Sequence, residues 1–148
     1  MSQAQKQPVQ LSLTTKITQA GEVETFAFDT AGELLLKDGQ IFLRYTETIG
    51  EQQTQVRFKF EAAAVHLHRS GDGQTKLVFR PEKHVPAFYQ TPAGQMQLTT
   101  YTTMLQVDVD AHTGQGQAVI AYQLLANAAL IGEYELRLQF HAKSSKLN

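Results

Sequence analysis

Two charged residues stand on stripes that are otherwise apolar. In Ile41-Phe42-Leu43-Arg44-Tyr45-Thr46-Glu47, one face of an extended chain carries Ile41, Leu43, Tyr45 and Glu47. In Val65-His66-Leu67-His68-Arg69, one face carries Val65, Leu67 and Arg69. Side chains two apart on a strand share a face, so a carboxylate and a guanidinium each end a stripe directed at an interior. A lone buried charge is costly, whereas a paired one is tolerated. Glu47 and Arg69 are therefore expected to act together. Such a pair can anchor a carboxylate, phosphate or amide head group, with Arg69 as the anion anchor. It can equally plug one end of a fold as a structural ion pair, or emerge at a rim, since each residue closes its run. Tyr45, Tyr89 and Thr91 complete the candidate ligand-binding set. Tyr122 lies opposite Val119 and Ala121, which leaves its side open.

Other chemistries find less support. His66 and His68 are two apart on one face, a spacing that some zinc sites on sheets use. A third ligand, His84 or His141, would have to come from elsewhere, and the face opposite Val65 and Leu67 should meet water; no metal is expected. Asp108, Asp110 and His112 share a parity before the turn Gly114-Gln115-Gly116, but their spacing does not match a calcium loop, and a solvated strand face explains them. Serine occurs only at 2, 12, 70, 144 and 145, never in a Gly-x-Ser-x-Gly elbow. Gly71-Asp72-Gly73-Gln74-Thr75-Lys76 lacks the spacing of a phosphate-binding loop, so no cofactor is expected. Cysteine is absent, which excludes disulfides and thiol chemistry and fits a reducing compartment.

The elements that would position these residues are strands. Leu11, Leu13, Thr15 and Ile17 alternate with Gln10, Ser12, Thr14 and Lys16. Val56, Phe58 and Phe60 alternate with Arg57, Lys59 and Glu61, and Tyr134, Leu136, Leu138 and Phe140 with Glu135, Arg137, Gln139 and His141. This is the pattern of half-buried antiparallel strands. Ala20-Gly21-Glu22, Asp38-Gly39, Gly50, Gly71-Asp72-Gly73 and Gly114-Gln115-Gly116 mark turns. Pro81 to Gly94 holds three of the four prolines and cannot be a central strand throughout; it should ride over a rim or break an edge. Within it, Tyr89 to Gly94 reads as a corner between strands or as a lid. Phe60–Val65 and Leu124–Leu130 are alanine-rich and locally compatible with a helical turn, though the strands on both sides favour extended chain or loop. Between Met96 and Val109 the apolar parity slips, which predicts a β-bulge near Thr99–Thr103.

Hydrophobic residues make up 42% of the 148-residue chain and the net charge is −1. Those values fit one globular domain and argue against a nucleic-acid footprint. No apolar run approaches the ~20 residues of a membrane helix, and Met1–Pro8 lacks the apolar segment of a signal peptide. A cytoplasmic protein without membrane contact is expected, with residues 9–141 as the ordered core and 1–7 and 143–148 as flexible tails. Closing so many strands removes exposed edges. The predicted fold is all-β: a single antiparallel up-and-down β-barrel of about 8–10 strands with room for side chains or one small ligand. A two-sheet sandwich is the alternative.

The ordered series Tyr45-Thr46-Glu47, Arg69-Ser70-Gly71, Tyr89-Gln90-Thr91-Pro92-Ala93-Gly94, Tyr122-Gln123-Leu124 and Gly132-Glu133-Tyr134-Glu135-Leu136 resembles the YwiB-like family of uncharacterised bacterial proteins. The resemblance spans about residues 9 to 141. It implies a calycin-type, lipocalin-like β-barrel and transfers no catalytic residue, and fold alone does not fix function. Three functional classes remain open. The first is non-enzymatic binding of a small apolar or amphipathic molecule in the barrel. The second is a protein-interaction module with a solid core, including a homodimer. The third, with least support, is a small-molecule enzyme using Glu47 and Arg69.

Overall fold

A computed structural model of the chain describes residues 5–143. Ten strands follow one another: β1 (Gln5–Gln19), β2 (Glu22–Lys37), β3 (Gln40–Ile49), β4 (Gln52–Phe60), β5 (Val65–Ser70), β6 (Gln74–Phe79), β7 (His84–Thr91), β8 (Gly94–Asp110), β9 (Gln115–Ala126) and β10 (Ala129–Ala142). Each pairs antiparallel with its sequence neighbour, and β1 pairs with β10, so the meander closes into an all-β barrel. This is the predicted up-and-down barrel, with ten strands, and not a sandwich. Among the described residues no helix is long and apolar enough to cross a membrane.

Turn chemistry sets the connections. Asp38 and Gly39 have φ of 53° and 77°, the left-handed pair that joins strands of matching twist. Asn127 and Ala128, at 50° and 69°, do the same between β9 and β10, so the alanine-rich Leu124–Leu130 segment is a hairpin and not a helical turn. Glu61–Ala64 is likewise a short loop, closed by a hydrogen bond from the Glu61 amide to the Ala64 carbonyl of 2.9 Å. The predicted bulge is present: the β8–β9 register shifts between Thr102 and Met104. It exchanges inward Leu98, Thr100 and Thr102 for inward Leu105, Val107 and Val109. β1 already begins at Gln5 and pairs Gln5–Gln7 with Leu36–Leu34. The expected N-terminal tail is thus corrected for those three residues, because β2 is long enough to give them partners. The rest of that tail, 1–4, and the 144–148 part of the C-terminal one lie outside the described residues.

The barrel wall parts in two places. At the base, β6 and β7 pair only from Gln74–Lys76 to Phe88–Gln90, then diverge. Pro86, which has no N–H for a ladder, sits where the ladder is lost. The Thr100 hydroxyl, fully buried, lies between the parted strands, 3.2 Å from the Val78 carbonyl and 3.3 Å from the Val85 carbonyl. The chain at Pro81 bridges to Thr102, and the Glu82 amide donates to the Thr102 carbonyl at 2.7 Å. This parting is filled. At the opposite end, β2 and β3 pair only from Gly32–Lys37 to Gln40–Tyr45. Beyond Gly32 the first half of β2 keeps only β1, while Thr46–Ile49 keep only β4. Gly32 is required at the fork: a Cβ there would lie 2.8 Å from both the Arg44 carbonyl oxygen and Leu11 Cδ2. This second parting is open.

The core occupies the base half. Val9, Leu11, Leu43, Val56, Phe58, Val65, Phe79 and Ile120 are buried there. Each contributes about 1.5–3 kcal/mol by leaving water. An aromatic column, Phe28, Tyr45, Phe58, Phe60 and Phe140, runs through it with ring centroids 5.9–6.5 Å apart.

Candidate functional site

Above that core, in the half of the barrel where β2 and β3 part, lies a pocket of about 990 Å³. Its position follows from the residues that stop filling the interior. Toward this end the inward stripes change from Leu11, Leu43 and Phe58 to Thr15, Glu47, Arg69 and Thr75, which are shorter or charged. The parted wall adds Thr25, Ala27 and Asp29 of β2 and Thr46 and Thr48 of β3 to the lining. Phe26 and Ile49 stand at the opening, 52% and 74% exposed.

Glu47 and Arg69 meet inside. Arg69 Nη1 donates to Glu47 Oε2 at 3.1 Å and Nη2 to Oε1 at 2.5 Å, a two-pronged pair with side chains 10% (Glu47) and 35% (Arg69) exposed. The strands that carry them are both neighbours of β4. Glu47 faces Thr54, Arg69 faces Val56, and so the two stripes converge across one strand. Burial works against the guanidinium charge, but hydrogen bonding and attraction from Glu47 outweigh it and hold the Arg69 pKa above its usual value.

Tyr45 and Tyr89 of the predicted set also line the pocket. The Tyr45 hydroxyl is buried and has no hydrogen-bond partner among the described residues. Burial pushes its pKa well above the ordinary 10.0, with the nearby Glu47 charge adding to the rise and Arg69 opposing it. Burial pushes Tyr89 up to about 12. These phenols are neutral donors at any ordinary pH. Thr91 is not in the pocket and is withdrawn from the set. It caps the β7–β8 hairpin, where its hydroxyl donates to the Gly94 carbonyl at 3.0 Å and accepts from the Ala93 amide at 3.2 Å. The Tyr89–Gly94 segment is accordingly a tight corner between strands.

Two tyrosines outside the predicted set complete the wall. Tyr122 points inward, 6% exposed; its ring stacks on Tyr134 at 5.0 Å and meets Phe79 at 4.7 Å. The inward stripe Ala118, Ile120, Tyr122 and Leu124 fixes its side. Tyr134 heads an apolar stripe that was visible in the sequence, so parity pointed at it.

The remaining sequence candidates lie elsewhere. His66 faces outward and contacts Glu61 at 3.0 Å. That contact, with a weaker one from Lys59, holds the exposed Glu61 carboxyl below its usual range. His68 has Arg57 and Lys76 as cross-strand neighbours, a cationic setting that disfavours a bound cation. His84 lies beside Tyr101 and His141 on the outer face of β10. Asp110 accepts from the His112 and Thr113 amides at 2.8 and 3.3 Å, which closes the β8–β9 turn. Among the described residues no cluster of three or more His, Cys, Asp or Glu is placed to hold a metal ion.

Comparison with known proteins adds the following. Residues 11–138 match the family model described as "Domain of unknown function (DUF1934)". The chain is 27% identical over 120 residues to the uncharacterized beta-barrel protein YwiB of Bacillus subtilis (strain 168), covering 81% of this chain and 83% of that protein. It superposes on the crystal structure of the ywiB protein from Bacillus subtilis with a TM-score of 0.83 at 22% identity, covering 94% of each chain. That likeness establishes the same fold.

Proposed function

This chain belongs to the DUF1934 family, whose function is open, and from its own geometry we propose that it binds a small apolar or amphipathic molecule in the barrel. The observation that carries the reading is the pocket of about 990 Å³, near the upper end of the volumes that small-ligand sites span. Its walls combine aromatic and aliphatic side chains with threonine hydroxyls, tyrosine phenols and the Glu47–Arg69 pair, and apolar walls with placed polar groups are how such sites join affinity to orientation. The opening between β2 and β3, rimmed by Phe26 and Ile49, gives the ligand a way in from the side. In this reading the protein is a cytoplasmic, calycin-like binding protein.

The pocket favours binding over an interaction module with a solid core, because the mouth half is not filled by side chains. It favours binding over catalysis because the Glu47 carboxylate is held in a two-pronged pair by Arg69, so it is not free to move a proton. The test is native mass spectrometry of protein purified from its host, combined with a thermal-shift screen of small molecules. A co-purifying species of small mass, or a rise in melting temperature with occupancy, is the expected result. Absence of any bound species together with no stabilising molecule across a broad apolar and amphipathic set would overturn the proposal.

A further inference from the structure

We propose that the pocket selects a neutral ligand: an aliphatic or aromatic body bearing a hydrogen-bond-accepting oxygen, as in an amide, ester, ketone or alcohol, in preference to the corresponding carboxylate or amine. The inference rests on the binding reading above and names the chemistry of its ligand.

Three observations carry it. First, Arg69 is already neutralised. Both guanidinium termini bond Glu47, so a ligand carboxylate would have to displace a preformed, mostly buried partner or lie beside it. Like charges that close oppose each other's ionisation. The only other charged residue of the lining is Asp29, whose carboxylate accepts from the Ser12 hydroxyl on the outer face, so the lining offers a ligand carboxylate no free cation. Second, the pair leaves donors unused. A guanidinium has five N–H groups, and those of Arg69 not engaged by Glu47 make no hydrogen bond among the described residues. Third, the Tyr45 side chain lines the same pocket, and its hydroxyl is buried without a partner. A buried donor without an acceptor is costly, and a ligand oxygen would remove that cost. A neutral acceptor satisfies the unused Arg69 donors and the Tyr45 hydroxyl without disturbing the ion pair. An ammonium finds Glu47 occupied and Arg69 repelling it.

The test is isothermal titration calorimetry of the full chain at pH 7.4 with four molecules that share one eight-carbon chain: octanamide, 1-octanol, octanoate and octylammonium. The amide and the alcohol should bind at least tenfold more tightly than either ion. In Glu47→Gln, Arg69 loses its counter-charge, and octanoate should gain at least tenfold relative to octanamide. Octanoate or octylammonium binding as tightly as octanamide to the wild type would overturn this inference alone, as would an unchanged octanoate-to-octanamide ratio in a folded Glu47→Gln protein. If that variant does not fold, the wild-type series decides by itself. Failure of all four to bind would overturn the binding reading and this inference together.

Discussion

Glu47 and Arg69 hold each other in a partly dry interior, so the two single removals and the double removal should not add. Glu47→Leu strands a guanidinium that is 35% exposed; allowing for that exposure, the cost should be about 1–3 kcal/mol. Glu47→Leu/Arg69→Leu removes the need for pairing and should lie within about 1 kcal/mol of wild type. Urea denaturation of the three proteins checks this, and strict additivity would show that the pair is only a surface contact. The tyrosines give a second signature. Tyr45, Tyr89 and Tyr122 all have pKa values raised above 10.0, chiefly by burial. The unfolded chain therefore releases these protons first as pH rises. Stability should be flat up to about pH 9.5 and then fall by up to about 1.4 kcal/mol per pH unit for each phenol. Denaturation midpoints at pH 9, 10 and 11 measure the slope, and no loss above pH 10 would contradict the burial of the phenols. The charged pair was legible in the sequence because strand parity placed both residues on apolar stripes. Tyr122 was not, because Val119 and Ala121 make the opposite face apolar too. Thr91 misled because a threonine beside a proline looks the same whether its hydroxyl caps a turn or meets a ligand.

At the scale of elements, local signals were readable and long-range pairing was not. Asp38-Gly39 and the parity slip near Thr103 each announced themselves, since turn φ values and side-chain alternation are properties of a few adjacent residues. Of the two partings of the wall, the proline-rich Pro81–Gly94 segment announced a break near β7, but the β2–β3 parting could not be seen, because it depends on which residues of β2 meet β3. Their different fates explain the asymmetry of the barrel. The base parting is closed by Thr100 and by the chain at Pro81–Glu82. Replacing Thr100 by the nearly isosteric valine removes the buried hydroxyl set between the Val78 and Val85 carbonyls and should cost about 1–3 kcal/mol. Faster amide exchange of β7 than of β8 should accompany the loss; a stability change under about 0.5 kcal/mol would mean that the gap is closed without the hydroxyl. The upper parting stays open, with Glu22 and Glu24 near the start of β2. Charges there discourage another strand from adding to the free edge.

For the molecule as a whole, closure of a ten-stranded meander gives an interior too wide for its own side chains to fill from end to end. The base half is packed with Phe58, Phe79, Leu11, Leu43 and Ile120, and the mouth half is left to Thr15, Glu47, Arg69, Thr75 and the tyrosines. That division, solid at one end and hollow at the other, is the basis of the proposed function. The most direct test is a nitrogen–proton NMR titration of the full chain with octanamide. The account predicts saturable shifts concentrated at Thr15, Phe28, Glu47, Arg69, Thr75 and Tyr134, with Leu11, Val65 and Phe79 at the base little changed. Shifts confined to the outer face around Asp108 and His141, or none at all up to millimolar ligand, would contradict it.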